Sequence, residues 1–95
     1  MRLIWSVRAR VDLAHIHGFI GAKNPRAADV VVAEIVRAAK RLPAYPLLGW
    51  ASDDVDVRLL QVPRRAYLLP YRIVEGDVEI LAVFDERQER PEEWQ

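Results

Sequence analysis

In the first half of the chain the hydrophobic positions recur with a helical period, and in the second half they run in short β-rich blocks. Arg2-Leu3-Ile4-Trp5 predicts a strand, and Ser6 behind it suits a helix N-cap. From Val7 to Ala22, the residues Ala9, Leu13, Ile16 and Ile20 are spaced to share one helix face. Val7, Val11, Ala14 and Gly18 make a second seam, small enough for close helix approach, while Arg8, Asp12, His15 and Phe19 lie on the opposite face. Asn24 suits the N-cap of a second helix with Pro25 at its first position, where a missing N–H costs nothing. Through Leu42 that helix aligns Ala28, Val31, Val32, Ile35, Ala39 and Leu42. The short connection predicts an antiparallel helical hairpin whose apolar stripe needs something to cover.

Pro43 and Pro46 end the second helix, and Ala44-Tyr45-Pro46-Leu47-Leu48-Gly49-Trp50 is too apolar for a solvated linker, so it is expected to pack down. After the acidic turn Ala51-Ser52-Asp53-Asp54 come three β-rich runs, Val55 to Val62, Ala66 to Val74 and Val78 to Phe84. The separators Pro63-Arg64-Arg65 and Glu75-Gly76-Asp77 are short enough for hairpins, which predicts an antiparallel meander. The near-continuous apolar character of the last run points to a central strand. Pro70 offers no ladder donor, so an edge or a bulge is expected there. The expected architecture is α+β in the order β-α-α-β-β-β, a helical hairpin packed on a small antiparallel sheet.

A length of 95 residues and 10.9 kDa fits one domain spanning 1–95, and 52% hydrophobic with 29% charged residues marks a chain that folds. The absence of cysteine excludes disulfides, thiolate metal sites and cysteine nucleophiles. No run reaches the roughly 20 apolar residues of a membrane span, and the N-terminal apolar stretch is too short for a signal peptide, so a cytoplasmic protein is expected. Net charge is zero but unevenly spread. Residues 1–50 hold eight basic and three acidic groups, and residues 51–95 hold six basic and eleven acidic. That balance disfavours free DNA binding and leaves two readings of the basic half: an acidic partner, or the acidic half of the same fold.

Metal chemistry finds little support. His15 and His17 diverge by about 200° around a helix, and Asp53, Asp54 and Asp56 lack the glycine and terminal glutamate of a calcium loop. No metal or other cofactor is expected. Neither Ser6 nor Ser52 sits in a nucleophile elbow, and the four glycines form no phosphate loop. The chemical candidates are the later arginines, Arg58, Arg64, Arg65, Arg72, Arg87 and Arg90, which could steady a phosphoryl transition state, grip an acidic partner, or pair with neighbouring carboxylates.

Trp5, Ala9, Asp12-Leu13, Ile16, Phe19-Ile20, Asn24-Pro25-Arg26-Ala27-Ala28, Ile35, Leu42, Pro46, Gly49, Arg58, Tyr67, Tyr71-Arg72-Ile73 and Val78-Glu79-Ile80-Leu81-Ala82-Val83 follow one another in an order that resembles the RelE/ParE superfamily of bacterial toxins, over nearly the whole chain. The balance is similar to ParE more than to RelE. RelE-type toxins cleave messenger RNA on the ribosome and carry an arginine just after the aromatic residue opening the third strand, where this chain has Leu68. Many relatives place a histidine at the end of the last strand, where this chain reads Phe84-Asp85.

The resemblance implies the toxin of a type II toxin–antitoxin pair that inhibits DNA gyrase by contact, has no catalysis of its own, and is neutralised by a ParD-like antitoxin in a hetero-oligomer. Phe19, Val30 and Ala33, apolar among charges on the helical hairpin, are candidates for antitoxin binding, together with a second sheet face needing cover. The family's last strand and tail are implicated in toxicity, which singles out Arg87, Arg90 and Trp94. The alternative is a RelE-like ribosome-dependent endoribonuclease using Arg58, Arg65, Tyr71 and Arg87. A degenerate fold kept as a binding module is the third possibility.

Overall fold

The computed structural model describes residues 1–88. Its elements are β1 (Leu3–Trp5), α1 (Val7–Gly21), α2 (Pro25–Ala39), β2 (Trp50–Ala51), β3 (Arg58–Gln61), β4 (Tyr67–Val74), β5 (Asp77–Ile80) and β6 (Phe84–Asp85). Both helices start where their caps direct. The Ser6 hydroxyl accepts the Ala9 N–H at 3.0 Å, and the Asn24 side-chain oxygen accepts the Ala27 N–H at 3.1 Å with Pro25 behind it. The β4–β5 hairpin turns on Glu75 and Gly76, both at positive φ, the geometry whose twist suits a two-residue hairpin.

The sheet runs β1-β5-β4-β3-β2, with β6 also pairing β4. It is mixed, which corrects the expected antiparallel sheet: β1 lies parallel to β5, Leu3 opposite Val78 and Trp5 opposite Ile80, while every other pairing is antiparallel. The parallel pair follows from the connectivity. The chain leaves β1 into the helical hairpin and returns through β3 and β4, so β5 reaches the free flank of β1 running the same way.

Val31, Ile35 and Leu42 of the hairpin side meet Leu69, Tyr71, Val78 and Ile80 of the sheet in the main core, all buried. Ile35 is fully buried, and truncating such a residue to alanine costs about 2–5 kcal/mol. The predicted face Ala9, Leu13, Ile16, Ile20 packs on this core. The small seam does not: Val7, Val11, Ala14 and Gly18 are exposed, and α1 meets α2 instead where Gly21 approaches Ala28 and where His17 reaches Asp29 at 2.8 Å. The second sheet face, expected to need a cover, is covered in part, because Val57, Leu68, Leu81, Ala82 and Phe84 form a separate buried cluster, while Ile4 and Val74 stay exposed.

Pro70 sits in the interior strand β4 and a bulge accommodates it. Between the pairs Tyr71–Ile80 and Leu68–Phe84, β4 supplies Leu69 and Pro70, whereas the facing segment supplies Leu81, Ala82 and Val83. The Pro70 carbonyl accepts the Leu81 N–H at 2.8 Å, so the side of the residue that lacks an N–H faces the same gap, where the ladder is already broken. The break splits the expected last strand into β5 and β6. The apolar connector packs down through its backbone at Gly49, while the side chains of Tyr45, Leu47, Leu48 and Trp50 are exposed.

Candidate functional site

The bulge prepares a cleft. Residues 81–83 leave the ladder, and α1 takes up their backbone groups: the Ser6 hydroxyl donates to the Leu81 carbonyl at 2.9 Å, and the Asp12 carboxylate accepts the Val83 N–H at 2.9 Å. Arg8 holds that carboxylate from one turn earlier at 3.1 Å. With α1 pinned here, a groove of about 570 Å³ opens between its Arg8–Ile20 side and the Val83–Gln88 segment, with Tyr67 of β4 on its wall.

Phe19 and Arg87, both expected to bind partners, line this one groove. Phe19 is 84% exposed, an unusual position for a phenylalanine and one with little stability to lose. Arg87 is held locally: its Nε and Nη2 donate to Asp85 at 3.0 and 2.6 Å, and its N–H donates to the same carboxylate at 2.9 Å. The Arg87 guanidinium holds the Asp85 carboxyl below its ordinary range. Burial first, and then the Asp85 charge, push the Tyr67 phenol up, so it stays protonated at neutral pH.

The residues proposed for ribonuclease chemistry do not share one site. Arg58 and Tyr71 are cross-strand neighbours that hold the connector from inside. Arg58 Nε and Nη2 donate to the Gly49 carbonyl at 2.9 and 2.6 Å. The Tyr71 hydroxyl accepts the Gly49 N–H at 3.0 Å and donates to the Pro46 carbonyl at 2.7 Å. Tyr71 has no exposed surface. A Cβ on Gly49 would lie 2.5 Å from the Leu59 carbonyl oxygen and 2.7 Å from the Tyr71 ring, so only glycine fits. Arg65 pairs with Glu34 of α2 at 2.7 Å, Arg72 with Glu79 at 2.8 Å, and Arg87 lies in the groove.

Val30 and Ala33 are exposed on α2, and neither lines the groove that Phe19 lines. Val30 lines a depression of about 350 Å³ with Asn24, Arg26 and Arg65. Arg90 and Trp94 lie outside the described residues. Sequence reasoning missed Tyr67 as a groove wall and Asp12 as the bulge anchor, though it grouped Asp12 with Phe19 on one helix face. Among the described residues, no group of three or more His, Cys, Asp or Glu could hold a metal, and no helix is long and apolar enough to cross a membrane.

Comparison with known proteins adds to this geometry. The family model described as "ParE toxin of type II toxin-antitoxin system, parDE" matches residues 3–90. Y4kP of Sinorhizobium fredii is 37% identical over 91 residues, covering 96% of this chain and 94% of the relative. The toxin RelE2 of Caulobacter vibrioides is 30% identical over 82 residues, 86% of this chain and 91% of its own. Among solved structures, the chromosomal ParDE toxin–antitoxin system of P. aeruginosa superposes with a TM-score of 0.81 at 28% identity, covering 90% of this chain and 95% of that one. The RelBE2 toxin–antitoxin complex of Mycobacterium tuberculosis gives 0.64 at 26% identity, covering 88% and 95%.

Proposed function

This chain belongs to the ParE toxin family of type II toxin–antitoxin systems, and from that premise we propose that it arrests DNA gyrase by protein contact, cuts no RNA itself, and is silenced by a ParD-like antitoxin. The observation that carries the reading is the groove between α1 and β6, where an exposed aromatic ring and a guanidinium share one concave surface. Such a surface suits an extended or helical segment that inserts an apolar anchor beside a charge. An antitoxin segment seated against Phe19 would cover Arg87 as well, so neutralisation and toxicity compete for one surface.

The dispersal of Arg58, Arg65, Tyr71 and Arg87 supports contact over cleavage. Phosphodiester cleavage needs charge and an acid or base within hydrogen-bond reach of the same reacting atoms. Tyr67, the phenol in the groove, is pushed toward its neutral form and makes a poor general base. The second reading, ribosome-dependent messenger RNA cleavage, draws on the likeness to the Caulobacter toxin RelE2. Purified chain added separately to gyrase with relaxed plasmid and to translating ribosomes decides between them. Blocked supercoiling with intact messenger is expected; cut messenger with active gyrase would replace this reading with the second.

A further inference from the structure

A second concave surface lies on the other side of the hairpin. Arg37 in the last turn of α2 and Arg41 in the turn just beyond it face Arg64 and Arg65 of the β3–β4 turn across a cavity of about 460 Å³. Among the described residues its acidic group is Glu34, which is committed to Arg65 at 2.7 Å, so there one carboxylate answers four guanidinium groups. The Glu34 carboxyl is held below its ordinary range, by Arg65 above all and by the nearby Arg37 and Arg64 charges as well.

The backbone supplies an independent observation. Arg64 has φ of 64°, the left-handed region, where a residue with a Cβ pays about 1 kcal/mol or more and glycine sits freely. A strained residue that brings a guanidinium to a cavity already rich in guanidinium groups works against folding, both sterically and by like-charge repulsion, and so marks a function for that charge. Ala38, Val62 and Pro63 supply the apolar part of the lining, and among the described residues no aromatic side chain lines the cavity.

The geometry points to a docking site for an acidic segment of a partner protein, its carboxylates paired with Arg37, Arg41 and Arg64 and its apolar side chains resting on Ala38, Val62 and Pro63. Single-stranded nucleic acid fits less well, since it calls for aromatic platforms beneath the bases along a basic track, and this chain has zero net charge. Guanidinium forks, in contrast, match carboxylates in two-point contacts. The inference rests on the proposed antitoxin pairing only for the source of the segment; the chemistry of the site stands apart from it.

The test measures fluorescence anisotropy of short labelled probes added to the full chain at low salt: a peptide alternating Glu and Leu, its Lys and Leu counterpart, and single-stranded DNA. Binding of the Glu peptide alone is expected, weakening with salt. The double variant Arg37→Gln/Arg41→Gln should lower its affinity about tenfold or more. Arg64→Gly should lower it several-fold while leaving the melting midpoint unchanged or raised, because glycine relieves the left-handed backbone. Arg10→Gln on α1 should change nothing. Glu-peptide binding that is absent or indifferent to these variants would overturn the inference, as would tighter binding of the DNA. Failure of the gyrase reading would show separately, as intact supercoiling in the presence of a chain that still binds the acidic probe.

Discussion

Two regions of this molecule combine aromatic rings with arginine, and they use them in opposite ways. At the Gly49 knot, Tyr71 and Arg58 spend their polar atoms on backbone groups of the connector, and the ring is fully enclosed. At the α1–β6 groove, Phe19 points its ring at solvent, and Arg87 pairs with Asp85 two residues away. An ion pair whose arginine side chain is 76% exposed contributes little to stability and exchanges partners at low cost. A buried hydrogen-bond network cannot exchange without leaving an unpaired group. An aromatic residue and an arginine therefore hold the fold in one place and remain available for binding in the other.

The sharpest way to break this contrast is Gly49→Ala. With the Leu59 carbonyl oxygen and the Tyr71 ring in the path of the new Cβ, a loss of about 3 kcal/mol in denaturant unfolding is expected. Tyr71→Phe should cost about 1–3 kcal/mol, since the Gly49 N–H and the Pro46 carbonyl lose their partner, yet toxicity per folded molecule should persist. A stable but inactive Tyr71→Phe would instead make the hydroxyl catalytic. In the groove the pattern reverses: Phe19→Asp should leave unfolding within about 0.5 kcal/mol of the parent while weakening antitoxin binding by about 2 kcal/mol, roughly thirtyfold in titration calorimetry.

The smallest effect is on pH dependence. Asp77 beside Arg2, Glu34 beside Arg65 and Asp85 beside Arg87 are all held below their ordinary values of 3.8 or 4.5. Carboxyls depressed in the folded state bind fewer protons there than in the unfolded chain. Their contribution is fully present above the ordinary carboxylate range and is lost as pH falls below it toward the depressed folded values. Melting curves should accordingly be flat near neutrality and fall on acidification, by less in the Asp77→Asn variant.

Local signals in the sequence found most of the fold. Ser6, Asn24-Pro25 and Glu75-Gly76 act through adjacent backbone, so their positions were legible without any partner, and Pro70 signalled an edge or a bulge because of its missing N–H, the fold deciding for the bulge. The direction of β1 was not legible, since a three-residue strand carries no mark of its neighbour's orientation. Nor was the outward turn of Tyr45, Leu47 and Trp50, which depends on Tyr71 and Arg58 gripping the connector backbone from more than twenty residues and about ten residues away. In the candidate sites, Phe19 and Arg87 were found separately and only the fold joins them. The Arg37, Arg41 and Arg64 cluster was invisible because it unites the end of one helix and the turn after it with a turn beyond the connector.

The central claim is that the outward groove acts by contact while the inward knot only holds the structure. Inducing this chain alone in a bacterial host, with plasmid supercoiling and transcript integrity followed in parallel, tests it most directly. Loss of supercoiling with intact transcripts is the predicted result; cut transcripts with normal supercoiling would contradict it and return Arg58, Arg65, Tyr71 and Arg87 to a catalytic role.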